Sequence, residues 1–224
     1  MRRIVLGVGC VALAASLFLP LKANADFMFL FDNNFSGTSP AGPAPWTKLV
    51  FQDVGLGPSA TVNVTFSTVG LTGSEFVSEL YLNLDPALDP TKLTITQTDG
   101  TPGVAPAAIS TGVNQFKADG DGKYDVLFTF ALSDAGRLTQ GDFLAYQFSY
   151  PGGLNALAFD FFSAPAGGVG PFLAATHVQA INGGASGWAS PTELTQITET
   201  PEPATASLLL LAAGAVWLAR RKLN

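Results

Sequence analysis

The densest run of ionisable residues in the sequence is Asp119-Gly120-Asp121-Gly122-Lys123-Tyr124-Asp125, with three carboxylates inside seven positions. Carboxylates spaced by glycines let a short loop curl around a hard cation while backbone carbonyls complete an oxygen shell. Asp119, Asp121 and Asp125 are therefore candidate Ca²⁺ ligands. The run departs from an EF-hand loop: Lys123 stands where a ligand would be, the glycine is displaced, and no bidentate Glu follows at the right distance. Asp-Gly is also what tight hairpin turns prefer, and the longest alternating segment of the chain starts directly after it. Turn and ion site are both compatible with this loop.

His177 is the single histidine, so any Ser-His-Asp arrangement must use it. Gly183-Gly184-Ala185-Ser186-Gly187 lacks the G-x-S-x-G spacing of a nucleophile elbow, and no H-E-x-x-H occurs. Paired carboxylates for glycoside hydrolysis are not singled out either, since Asp85 and Asp89 stand beside Pro86 and Pro90 in what reads as a turn. These absences lead to the expectation that the chain is not an enzyme. Aromatic side chains offer a different chemistry, because an apolar ring with a polar tip suits stacking on sugars. Trp46 and Trp188 are the candidates for such stacking, with Tyr146 and Tyr150 behind them. Burial in a core is the competing use of each.

What must position these groups is a set of strands. Val62, Val64 and Phe66 alternate with polar residues, as do Leu80, Leu82 and Leu84, Leu93 and Ile95, and Tyr124 through Leu132. Leu144, Tyr146, Phe148 and Tyr150 follow, then Leu157, Phe159 and Phe161, with weaker runs at 27–31, 48–51, 172–181 and 193–198. A period of two marks strands with one buried face. Asp99-Gly100, Asp119-Gly120, Pro151-Gly152-Gly153 and Asn182-Gly183-Gly184 punctuate them as turns. Segments 39–46 and 164–171, rich in Pro, Ala and Gly, read as loops too short to separate domains. The expected fold is all-β: an antiparallel β-sandwich of jelly-roll-like type, built from nine or ten short strands.

The two ends of the 224-residue chain differ from its middle. Arg2 and Arg3 precede an apolar run from Ile4 to Leu21, and Ala23-Asn24-Ala25 supplies small residues where a signal peptidase reads. Residues 1–25 are thus expected to be a signal peptide, with cleavage leaving Asp26 first. Cys10, the only cysteine, falls inside that segment, so the mature chain is expected to hold none, which excludes disulfides and multi-thiolate metal sites. At the other end, Ala204 to Ala219 carries no charge and is followed by Arg220-Arg221-Lys222. Sixteen helical residues span about 24 Å, short for a hydrocarbon core of about 30 Å but within reach of snorkelling flanks. A transmembrane helix over 204–219 with a cytoplasmic basic tail at 220–222 is the expectation, with Trp217 marking its interface. Between the ends, residues 26–200 hold sixteen acidic and five basic side chains, a net charge of −11. That charge repels phosphate backbones and argues against a nucleic-acid partner.

Pro201-Glu202-Pro203, a short apolar helix and the closing Arg220-Arg221-Lys222 resemble the PEP-CTERM sorting signal of exported bacterial proteins. The resemblance implies that a membrane-embedded exosortase recognises the tail and cleaves near Pro201–Pro203. The protein would then pass to the cell surface or extracellular matrix, commonly in bacteria that make extracellular polysaccharide. The stretch from Thr176-His177-Val178-Gln179 to Ser186-Gly187-Trp188 resembles a segment near the end of such ectodomains, which implies a shared packing feature of the last strands. The expected organisation is a signal peptide over 1–25, an ectodomain over 26–192, a tether over 193–200 and a sorting signal over 201–224. The expected function is a non-enzymatic protein of the envelope or biofilm matrix. A lectin-like polysaccharide-binding module, assisted by Ca²⁺, is the alternative, and a secreted hydrolase the third. A permanent single-span anchor is the rival reading of the tail.

Overall fold

The structure, a computed structural model, describes residues 26–119 and 121–197. The signal segment with Ala23 and Ala25, and the sorting segment from Pro201 to Lys222, lie outside the described residues. Among the described residues there are eleven strands: β1 (Phe27–Gly37), β2 (Thr47–Val54), β3 (Thr61–Thr68), β4 (Phe76–Leu82), β5 (Thr94–Gly100), β6 (Pro106–Lys117), β7 (Lys123–Phe130), β8 (Leu138–Thr139), β9 (Phe143–Ser149), β10 (Ala174–Ile181) and β11 (Ala185–Gln196). Among the described residues no helix is long and apolar enough to cross a membrane.

The fold is all-β and antiparallel. One sheet runs in the order β5-β9-β3-β2-β1-β11-β10-β4-β7-β6, with the short β8 added to β4. Strands distant in that order nevertheless share rings. Phe128 of β7 lies 5.1 Å from Tyr146 and 6.3 Å from Phe148 of β9, and Phe130 lies 6.2 Å from Phe66 of β3. The sheet therefore curls until its two wings face each other across a phenylalanine-rich core. Phe27, Phe29, Phe31, Phe51, Phe66, Phe128, Phe148 and Phe159 are all essentially inaccessible to solvent. Burying each ring contributes about 1.5–3 kcal/mol against the chain entropy lost on folding.

The alternating runs of the sequence lie on β3, β4, β5, β7 and β9. Besides the short β8, which no alternating run announced, three elements differ from expectation. Leu157, Phe159 and Phe161 do not form a strand. Ala156–Phe159 is a 3-10 turn because the Ala156 N–H is taken by Asp53 Oδ1 at 2.6 Å and the Leu154 N–H by the Ala60 carbonyl at 3.0 Å. The segment is thus tied across the end of the sheet; Phe159 turns in to stack on Phe51 at 5.1 Å, while Leu157 is left exposed. β6 was not expected, since it is an edge strand whose residues are mostly exposed and carry no apolar alternation. Finally, Glu193–Gln196, read both as a weak strand and as tether, is the end of β11, where Gln196, Thr195 and Leu194 pair with Phe27, Met28 and Phe29.

Candidate functional site

The row of residues that crosses the outer face of the sheet from β1 to β4 is the most chemically varied part of the domain. Ser36 pairs with Trp188, Trp188 with His177, and His177 with Glu79, so four strands place these side chains next to one another. Bulges make the row possible. β1 shifts register three times after Phe29, so Phe35, which shares parity with the buried Phe27, Phe29 and Phe31, emerges on the other face. β4 shifts between the partners of His177 and Val178, which leaves Ser78 as the extra residue. Re-aiming a side chain is what an inserted residue does to a strand.

The rings pack as an outer cluster. His177 lies flat on Trp188, centroids 4.3 Å apart and planes 8° from parallel. Tyr81 sits 5.7 Å from Trp188 and 5.4 Å from Tyr124, while Phe35 stacks on Phe172 at 4.3 Å. Phe35, Phe172, His177 and Trp188 are partly exposed; Tyr81 and Tyr124 are buried beneath them. Tyr81 donates its hydroxyl to Glu79 Oε2 at 2.9 Å. Burial, and then the Glu79 carboxylate beside it, push the Tyr81 phenol far above the ordinary tyrosine range, so it stays a donor.

His177 Nδ1 lies 3.0 Å from Ser78 Oγ and 3.8 Å from Glu79 Oε2. Burial of the ring holds His177 below the usual histidine range, against the opposing pull of Glu79 and Asp119. The imidazole is thus neutral near pH 7, and the firm partner of Glu79 is Tyr81 rather than His177. Ser78 and Glu79 approach the same ring nitrogen, whereas a nucleophile and an orienting carboxylate must use opposite nitrogens. Ser78 is also buried in the strand. The group is therefore a packed polar cluster without the geometry of a triad.

The three aspartates of the 119–125 loop are held by separate donors. Asp125, buried on β7, accepts from the Leu84 N–H at 3.0 Å and from the Asn114 N–H at 2.8 Å. Asn114 occupies a left-handed conformation in the bulge of β6, so Asp125 pins that bulge to the sheet. Asp121, also buried, accepts from the Val169 N–H at 2.7 Å and holds the glycine-rich 164–171 loop. A β-carbon on Gly168 would fall 1.4 Å from Asp121 Oδ1, which explains the glycine there. Asp119 turns toward β1 and accepts from the Ser36 hydroxyl. Among the described residues no three His, Cys, Asp or Glu side chains gather into a group that could hold a metal ion.

The two candidate stacking tryptophans separate completely. Trp46 is in the core at 6% exposure, its Nε1–H donated to the Gly42 carbonyl at 2.8 Å, so it offers no ring to a ligand. Tyr146 is likewise sealed in the core, and the Tyr150 hydroxyl accepts from the Asp89 N–H. Trp188 alone of the two candidates reaches the surface. Its companions Phe35, Tyr81, Glu79 and Phe172 were not singled out from sequence. Counting outward from the Asn182-Gly183-Gly184 turn, closed by Ile181 and Ala185, would set His177 opposite Ala189; a register shift between Val178 and Ile181 sets it opposite Trp188 instead. Comparison with protein-family models, with curated proteins and with solved structures finds no match.

Proposed function

We propose that the chain is an exported, exosortase-processed protein of the cell envelope or biofilm matrix, whose β-domain acts by binding or structure rather than by catalysis. The domain is read as the jelly-roll-like sandwich expected from sequence, with β7 and β9 supplying facing layers. The observation that carries the proposal is the pairing of Ala23-Asn24-Ala25 at one end with Pro201-Glu202-Pro203, an uncharged sixteen-residue run and Arg220-Arg221-Lys222 at the other. The fold is consistent with both boundaries. Asp26, the residue that signal cleavage would leave first, is buried, with its Oδ1 accepting from the Asp53 N–H and its carbonyl from the Ile197 N–H. The first and last described residues therefore close on each other, which supports placing both boundaries outside the β-domain.

Fractionation of the native host tests this. The wild-type protein is expected in the medium or loosely bound at the surface. A variant with Pro201-Glu202-Pro203 replaced by alanines is expected to stay in the membrane fraction at full length. Equal release of the two would overturn the proposal.

A second reading, polysaccharide binding, is favoured by the partly exposed rings of Trp188, Phe35 and Phe172 beside Glu79 and Asp119, since ring faces next to hydrogen-bonding carboxylates suit sugars. A glycan array probed with wild type and Trp188→Ala tests it. Calcium, if it takes part, would have to draw Asp119, Asp121 and Asp125 away from their present donors. A melting temperature unchanged by millimolar Ca²⁺ would remove it from the reading.

A further inference from the structure

The domain has one pole at which two loops carry no charge of their own. The β2–β3 loop from Val54 to Ala60 and the segment from Pro151 to Phe159 contain no Asp, Glu, Lys or Arg, although the middle of the chain is strongly acidic. The two segments are joined: the Leu154 N–H donates to the Ala60 carbonyl, and the Ala156 N–H to Asp53. Together with Asp53, whose carboxylate accepts from the Ala156 N–H, they line a shallow groove of about 370 Å³ between Gly55–Pro58 and Gly152–Asn155. Val54, Leu56 and Leu157 stand exposed around it, Leu56 at 67%. Gly55 and Gly57 both adopt φ of +75°, a left-handed turn that carries Leu56 outward between them.

The same pole is where the chain leaves the fold toward its C-terminal segment. Ile197 bonds to Asp26, and Asp26 bonds to Asp53 at the end of β2, so Ile197 and Val54 stand at the same end of three neighbouring strands. With two strand spacings of about 4.8 Å across and two residues of about 3.3 Å along β2, they lie roughly 12 Å apart. Six residues, Thr198 to Pro203, separate Ile197 from the apolar run that starts at Ala204. Fully extended, the seven steps from Ile197 to Ala204 reach at most about 25 Å. The opposite pole, at Val69, lies the length of β2 away, roughly 25 Å at about 3.3 Å per residue. A domain held on so short a lead presents its Ile197 pole to whatever the apolar run is embedded in.

We propose that this pole rests on the bilayer, with Val54, Leu56 and Leu157 seated in an uncharged or zwitterionic lipid interface before the chain is released. The inference depends on the reading of Ala204–Ala219 as a membrane segment. The rim carries Asp85, Asp89 and Asp160, which disfavours an anionic surface and selects the neutral one. Seating the pole in this way holds the Pro-Glu-Pro segment at the membrane surface, where a membrane-embedded protease would meet it.

The test uses the full chain with Cys10→Ser and one new cysteine, at Leu56, Leu157, Val69 or Ala212, each carrying an environment-sensitive fluorophore. Phosphatidylcholine vesicles with and without spin-labelled lipid provide the surface. The labels at positions 56, 157 and 212 are expected to shift to the blue and to be quenched at least twofold by the spin label, and the label at position 69 to do neither. A label at 212 in lipid with positions 56 and 157 as wet as 69 would overturn the inference and leave the membrane reading intact. A label at 212 that stays in water would overturn the membrane reading, and this inference with it. Val69 is itself an exposed apolar residue, so general stickiness of the domain would show there.

Discussion

Trp46 and Trp188 share a residue type and a strand neighbour, yet they serve opposite faces of the same sheet. Trp46 precedes β2, joins β1 through its N–H to the Phe31 carbonyl, and closes the core with its indole nitrogen satisfied internally. Trp188, on β11, lies under His177 and beside Phe35 and Tyr81 on the face that meets solvent. The inner region is apolar almost without exception. The outer one mixes rings with Ser78, Glu79, Tyr81 and Asp119, each with a hydrogen-bond partner. The contrast shows how the chain divides its aromatic residues: the bulk hold the curled sheet shut, and a small set on the outer face is partly exposed.

If that division is right, substitutions on the two faces should differ in kind. Trp46→Ala empties a sealed site and should cost about 3–5 kcal/mol of stability, read as a large fall in the denaturant midpoint. A loss below about 1 kcal/mol would place Trp46 on the surface after all. Asp125→Ala leaves the Leu84 and Asn114 N–H groups without their acceptor and should cost about 2–4 kcal/mol, with or without calcium. A cost seen only with calcium present would make Asp125 an ion ligand. Trp188→Ala should cost about 1–2 kcal/mol, because the ring is only partly buried, while abolishing any glycan retention the wild type shows. Loss of stability as large as for Trp46→Ala would erase the distinction between the faces.

The smallest expected effect is a pH dependence centred on His177. Its folded pKa lies below the ordinary value of about 6.5, so the folded state binds the proton less readily than the unfolded chain. The stability contributed by the neutral ring is therefore present above about pH 6.5 and is lost as the pH falls from there through the folded pKa. Wild type minus His177→Gln, followed by urea melts between pH 7.5 and 5, should show this slope. A difference that stays flat or grows on acidification would mean that Glu79 and Asp119 outweigh burial.

The inner face was readable from sequence because a buried strand face has a strict period of two, as in Val62-Val64-Phe66 and Val126-Phe128-Phe130. β6 escaped because an edge strand with both faces exposed needs no such pattern. Phe161 completed an alternating series with Leu157 and Phe159 that the hydrogen bonds of Asp53 and Ala60 override. The outer cluster was legible only in part. Tyr81 follows from its alternation with Leu80 and Leu82, but Phe35 and the facing of His177 with Trp188 owe their place to bulges, which shift parity without changing composition. The three aspartates of the 119–125 loop were close in sequence, but their acceptors point to β1, β6 and the 164–171 loop. Spacing alone does not encode that divergence.

The export reading stands or falls on the covalent ends of the mature protein. Intact-mass analysis of the protein recovered from its native host should give a chain that begins at Asp26 and ends between Pro201 and Pro203. A major species that still carries Arg220 to Asn224 would contradict processing and leave a plain membrane anchor in its place.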